Sequence, residues 1–381
     1  MNNPIERRKK LKQIILDLHN GKSVEDARKD FKINFGNIRG DEIAQMEQEL
    51  INEGDLTPDQ ITKLCDVHLS IFKETLPAFP IEEIPGHPLH TYQEENRIAR
   101  QLINEAREKF KPLKLIKLMQ IITHYARLEN QLFPILESKG FSGPSTVMWS
   151  KHDEIRNMIK EKDTKKLNEL LTAIEEMIDK EEMILFPITL EKLTDEDWVR
   201  VKRGEEEIGF AFGVKPGNKW KAITTANIHE KEMKRETREM KEEALDLSTG
   251  KLTIQQINHI FMNLPVDISF VNENDEVIYY SDTKERIFPR SPAVIGRKVQ
   301  NCHPAKSHHI VNRILQAFRA GEKDKAEFWI DLNGIYVHIR YFAIRDELGK
   351  YMGTLEVSQD ITKIRKIEGQ RRLLDWDNEN Q

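Results

Sequence analysis

Residues 124–134 read HYARLENQLFP, and residues 177–187 read MIDKEEMILFP. Aligned on Leu-Phe-Pro, they pair Glu129 with Glu182, Leu128 with Glu181 and His124 with Met177. Two shorter fragments belong with them. Residues 90–96, HTYQEEN, repeat the His-x4-Glu-Asn spacing of His124 to Asn130, and residues 152–154 read HDE. Four amphipathic stretches, each with His or Glu at an inward-looking position, predict a four-helix bundle that holds metal between its helices. The apolar spacing sets those helices at about 89–110, 113–137, 146–161 and 165–192, with short loops that favour antiparallel neighbours.

The composition bounds the rest. A chain of 381 residues is too long for one ordinary core, so two or three domains are expected. Charged residues make up 32% and the net charge is −5, without the concentrated basic face that a nucleic-acid partner requires. No apolar run has membrane length, and the opening MNNPIERRKKLKQ does not read as a signal peptide. Cys65 and Cys302 are far apart, so a disulfide framework is not expected and a reducing cytoplasm fits.

Outward from the bundle, residues 1–80 read as a helical domain. Ser23 with Asp26 gives a capping-box-like start, Asp41 and Thr57 are caps, and Gly21 and Gly54 are stops. Cys65 and His68 lie one turn apart on the last of these helices. A buried Cys beside a helix-face His is the plainer reading, and a metal pair the other. Pro77, Pro80, Pro85 and Pro88 punctuate the entry to the bundle, taken as 85–195. Residues 196–250 are taken as a charged linker, and its almost wholly polar part NIHEKEMKRETREMKEEALDLSTG, residues 227–250, reads as a solvated helix or flexible chain. From Leu252 the period changes. Two strands flank Asn274-Asp275, a helix ends at Gly321, and three strands turn at Asn333-Gly334 and near Leu348-Gly349. Residues 251–370 are therefore a small α+β domain with a five-stranded antiparallel sheet, and 371–381 are a tail that ends its closing helix.

The bundle resembles the hemerythrin-like, cation-binding family, on His90, His124 with LENQLFP, His152 in HDEIR, and EEMILFP. The last domain resembles a PAS domain, on LPVDISFVNENDEVIYYS, VIGRKVQNCHP and GTLEVSQDIT. The N-terminal region, with EIAQMEQELINEG and LCDVH, is similar to the helical region of unknown function that precedes such bundles. The fold class is thus multidomain, an all-α N-terminal region and hemerythrin-like bundle followed by a PAS-like domain.

The bundle's resemblance implies His and carboxylate ligands from all four helices around two non-haem irons, with a His and a Glu four residues apart on helices two and four. Such a pair shares a face within about 40°. The chain departs from this twice. Leu128 stands where the Glu belongs, and Glu129 lies one place on, turned about 140° from His124 unless the helix is distorted. Met177 stands in place of a His. The ligand set is then His90, His124, His152 and Glu181, with His87, Glu95, Glu129, Glu154 and Glu182 as candidates. Three His and one or two carboxylates suffice for one iron, zinc or manganese, and bridging Glu residues would hold an iron pair. The Leu-Phe-Pro ends read as packing and helix termination.

In the PAS-like domain, CHPAKSHH lies at the start of the long helix. By resemblance it offers His303, His308, His309 and Cys302 as axial ligands to haem. A capped loop with surface His residues is the plainer alternative, and covalent haem attachment lacks its motif.

Three functions follow from these expectations. One is a cytoplasmic sensor whose metal bundle responds to oxygen, nitric oxide or redox state and whose output passes to a protein partner. Another is an oxidoreductase or iron-centre repair protein acting on peroxide or nitric oxide. The third is a metal-free scaffold with a ligand-binding PAS-like domain. A homodimer through the PAS-like domain is an open alternative.

Overall fold

The computed structural model describes residues 4–35, 40–57, 60–61, 84–108, 112–161, 163–220, 244–283, 286–332 and 334–370. Cys65 and His68 lie outside the described residues. The chain divides into two compact units, 1–235 with 289–309, and 236–288 with 310–381.

The first unit is helical. Helices α1 (Pro4–His19), α2 (Val24–Asn34) and α3 (Gly40–Glu53) open it. Ser23 caps α2 as expected, its hydroxyl accepting from the Asp26 N–H. Ile14, Ile15, Phe31, Phe35, Ile43 and Leu50 bury together, and Val147 from the bundle joins them.

The bundle follows. Its first helix is α4 (Pro88–Glu108). The second is built from α5 (Pro112–Leu118), α6 (Ile121–Arg127), a π-helical turn at Leu128–Leu132, and α7 (Phe133–Ser138). The third is α8 (Gly143–Glu161). The fourth is α9 (Leu167–Lys180), a second π-turn at Glu181–Leu185, and α10 (Phe186–Lys192). The two π-turns start at the matched positions of the repeat. In each, the N–H of the Phe in Leu-Phe-Pro reaches back five residues, to the Leu128 carbonyl and to the Glu181 carbonyl. Helix α11 (Asp195–Arg203), with a Thr194–Asp197 capping box, and the short α12 (Glu205–Ile208) close over the bundle, and Trp198 and Val201 join its core.

The second unit holds a five-stranded antiparallel sheet in the order β4-β3-β7-β6-β5. Its strands are β3 (Asp267–Asn272), β4 (Val277–Tyr280), β5 (Lys325–Leu332), β6 (Ile335–Arg345) and β7 (Tyr351–Asp360). Gly353, opposite Asn272, lets β7 approach closely, for a Cβ there would collide with the Val271 carbonyl. Helix α13 (Ile254–Asn263) precedes the sheet and α14 (His308–Arg319) crosses between β4 and β5, its first two residues lying in the first unit.

Three expectations need correction. The first part of the stretch taken as linker from residue 196 packs on the bundle, with Trp198, Val201, Ala211 and Phe212 in its core. The stretch taken as linker ends in a hairpin, β1 (Ala244–Leu247) paired with β2 (Gly250–Thr253). Its strands are four residues long and largely exposed, so their pattern is lost beside the polar run before them. Within the described part of the expected closing helix, only a 3₁₀ turn at Ile364–Lys366 forms.

Candidate metal centre

The bundle interior contains a chain of buried ion pairs. His124, midway along α6, lies between two carboxylates, with Nδ1 2.7 Å from Glu95 Oε2 and Nε2 2.9 Å from Glu181 Oε2. Burial opposes the charge on its ring, yet Glu181 and Glu95 on either side raise it to about 9. Glu95 is anchored at its other oxygen by Arg127 Nη1 at 2.9 Å and the Ala211 N–H at 2.7 Å. Burial works against this carboxylate's charge, but Arg127 and His124 hold it below the usual range.

Arg127 itself is fully buried between the rings of Tyr92 and Phe210, at 4.3 and 4.7 Å. It also donates to Glu205 at 3.0 Å. Burial nevertheless pushes the Glu205 carboxyl up to about 7.

A second set repeats this logic around His152 on α8. Its Nδ1 lies 2.8 Å from Glu129 Oε1, and Arg156 donates to Glu129 Oε2 at 2.7 Å. The ring stacks on Tyr125 with centroids 4.0 Å apart. Burial outweighs Glu129 and lowers the pKa of His152, so its imidazole is neutral. Two histidines thus have Nδ1 fixed by a carboxylate that an arginine holds in turn, the arrangement that orients a metal-binding imidazole.

Several buried polar atoms in this interior lack a partner, Tyr125 Oη, Arg127 Nε and Gln131 Nε2 among them. His152 Nε2, Glu181 Oε1 and Asn96 Oδ1 are buried with no hydrogen bond. Asn96 Nδ2 donates to Glu181 Oε2 at 2.8 Å, and the Glu181 charge is felt at both His152 and Tyr125. Among the described residues, no three His, Cys, Asp or Glu side chains meet at metal-ligand spacing. The His124–Glu181 hydrogen bond instead puts a proton where a cation would be held.

The structure sorts the expected residues. It brings together His124, Glu181 and Glu95, and His152 with Glu129. The π-turn is the distortion that Glu129 required, but it aims that carboxylate at His152 rather than at His124. Glu182, its counterpart in the repeat, turns outward to Arg100 at 2.8 Å. Glu154 is exposed and pairs with Lys151. His90 is only half-buried on the first turn of α4 and is rotated about 120° from Asn96, which takes the interior place. His87 accepts the Leu89 N–H at 3.1 Å as a cap for α4 and packs on Trp198 and Trp220. Burial lowers its pKa to about 4.

The carboxylates expected to bridge two irons are therefore committed elsewhere, Glu95 to Arg127, Glu129 to Arg156 and Glu182 to Arg100. What the sequence reading missed are the arginines and Asn96. Arg127, three residues after His124, carried the one usable signal, a charge on the inward face.

The expected haem ligands lie in the first unit, not with the sheet. His303 Nδ1 bonds the Val299 carbonyl at 2.8 Å and His308 Nε2 the His303 carbonyl at 2.9 Å, while Cys302 Sγ lies 3.8 Å from the Lys298 carbonyl. Both rings thus hydrogen-bond main-chain carbonyls.

Comparison with known proteins agrees with this architecture. The hemerythrin HHE cation binding domain family matches residues 87–189, and the PAS domain family matches 257–362. A family of unknown function, DUF438, matches 11–78. The chain therefore joins a DUF438 region, a hemerythrin HHE domain and a PAS domain, in that order. No curated protein matches it. Among solved structures, a C-terminal domain from Streptococcus mutans is 33% identical, covering 34% of this chain and 99% of its own, with TM-score 0.32. The PAS domain of a Colwellia psychrerythraea protein is 20% identical, covering 29% and 98%, with TM-score 0.24. A sensory box sensor histidine kinase from Vibrio cholerae is 11% identical, covering 35% and 98%, with TM-score 0.23. No helix among the described residues is long and apolar enough to cross a membrane.

Proposed function

We propose that the bundle is a mononuclear non-haem metal centre and that its state is the input of a signalling protein whose second input or contact surface is the PAS domain. His124, His152 and Glu181 would hold the ion, with Asn96 beside them. The observation that carries this is the doubled anchor, in which each buried His has its Nδ1 on a carboxylate held by an arginine, the fully buried Arg127 in one case and the partly buried Arg156 in the other. Two His and one carboxylate suit ferrous iron, and such a set leaves coordination positions open for a diatomic gas or peroxide. The protein's part is to orient the two rings and to exclude water. His124 Nε2, which faces Glu181, would have to give up its proton to serve as a ligand, so uptake of an ion would release a proton.

A cleft of about 510 Å³ lies between α8 and α9, where Ile155, Met158 and Met177 share the lining with charged residues such as Lys151, Glu154 and Lys180. Met177 stands one turn before Glu181 and is buried in the bundle core, so the place of the expected His is filled by an apolar side chain.

The alternative is a metal-free scaffold, favoured by the closed His124–Glu181 hydrogen bond. A titration of the metal-free protein with cobalt(II) separates the two. The centre requires visible ligand-field bands that saturate and that vanish in His124→Ala and His152→Ala. No bands in the wild type would leave the scaffold.

A further inference from the structure

The first π-turn presents two main-chain carbonyls that its own helix is ill-placed to use. The Phe133 N–H goes to Leu128 rather than Glu129, and Pro134, four residues after Asn130, has no N–H to give. Both carbonyls are met from one distant segment, residues 289–309. Arg297 Nη1 donates to the Glu129 carbonyl at 2.9 Å, and the Ser291 hydroxyl donates to the Asn130 carbonyl at 2.7 Å.

Arg297 is only 5% exposed. Its Nε and Nη2 form a fork on Glu137 at 2.8 and 2.7 Å, and Asn301 donates to the same carboxylate at 3.2 Å. Gly204 leaves room for Ser291, since a Cβ there would come within 2.7 Å of the Ser291 Cβ. Ala293 of the segment is buried in the bundle core.

One residue therefore faces two ways. The Glu129 side chain holds His152 and Arg156, and the Glu129 carbonyl holds Arg297. The segment that carries Arg297 lies in the first unit, although the PAS family match spans it and the chain on either side belongs to the second unit.

We propose that residues 289–309 are a latch through which the state of the bundle interior at Glu129 and His152 is relayed to the PAS domain. The two-state element is the π-turn. Annealing it to regular α-helix shifts the hydrogen-bond register by one residue and turns Glu129 by about 100°, which removes its side chain from His152 and its carbonyl from Arg297 together. The latch is then released, and the strain falls on the two junctions at Phe288–Pro289 and His309–Ile310. Only the physiological trigger rests on the proposed metal centre, because the linkage itself is made by Glu129.

Hydrogen exchange on the full chain tests this, followed in peptides covering 289–309 and 128–134, with peptides of α1–α3 as the folding control. Arg297→Met is expected to raise exchange in the segment about tenfold or more, and Arg297→Lys, which keeps the charge but not the fork, less. Glu129→Gln keeps the carbonyl and does not touch the segment through its side chain. It is expected to raise exchange in 289–309 severalfold as well. Wild-type protection of the segment in Glu129→Gln, with the helical control intact, would overturn the latch. Zinc(II) added to the wild type should alter the same peptides, an effect absent in Arg297→Met. If zinc does not bind at all, the proposed centre fails while the Glu129→Gln result still decides the latch.

Discussion

Glu129 and Glu182 occupy matched places in the repeat and have opposite fates, one turned inward to His152 and the other outward to Arg100. The difference lies in the cations that meet them, which spacing within a single helix does not reveal. The positions of His124, His152 and Glu181 were legible in the repeat because their residue types are rare on inward faces. Arg127 and Arg156 were not, because an arginine in a helix usually reads as a solvated charge. The full burial of Arg127 makes a sharp prediction. Arg127→Met leaves Glu95 and Glu205 buried without their shared cation and is expected to cost about 3–5 kcal/mol in urea unfolding. A loss below about 1 kcal/mol would show that the network is not carrying buried charge.

His87 gives a pH prediction at the same scale. Burial lowers its pKa to about 4, against about 6.5 in an unfolded chain. Between those values the unfolded chain binds the additional proton. Stability is therefore unaffected by His87 above about pH 6.5 and falls as pH drops toward 4. His87→Asn retains a side-chain acceptor for the Leu89 N–H without the titration. The difference in unfolding free energy between the two proteins should change by the greater part of its range between pH 6.5 and 4, and a constant difference would refute the assignment.

At the scale of elements, the two π-turns are what the repeated Leu-Phe-Pro encodes. The sequence reading took that motif as packing and helix termination, but the helices run on through it. It did register that Glu129 was out of phase with His124, which is the mark that a five-residue turn leaves on a four-residue pattern. The destination of that carboxylate needed α8 in place. Pro134→Ala supplies the missing N–H and favours annealing of the first π-turn. If Glu129 orients His152 for metal, this change should weaken metal binding by roughly 10–100-fold while the helical content is retained. Unchanged affinity would place the π-turn outside the centre. The hairpin at residues 244–253 shows the opposite limit, a pattern too short and too exposed to stand out from the polar chain around it.

At the scale of the molecule, the order of helical region, bundle and sheet domain was legible throughout, because prolines punctuate the entry to the bundle and the hydrophobic period changes at the sheet domain. The division into units was not. Residues 289–309 belong by sequence to the sheet domain and by packing to the helical unit, a choice set by Arg297, Ser291 and Ala293 against carbonyls and a core that are distant in sequence. Whether this architecture serves a metal signal turns on the bundle interior. Iron per chain after anaerobic reconstitution with ferrous iron and removal of excess is the most direct test. The account predicts close to one iron per chain in the wild type and almost none in His152→Ala. Two irons per chain, or an iron content indifferent to His152, would contradict it.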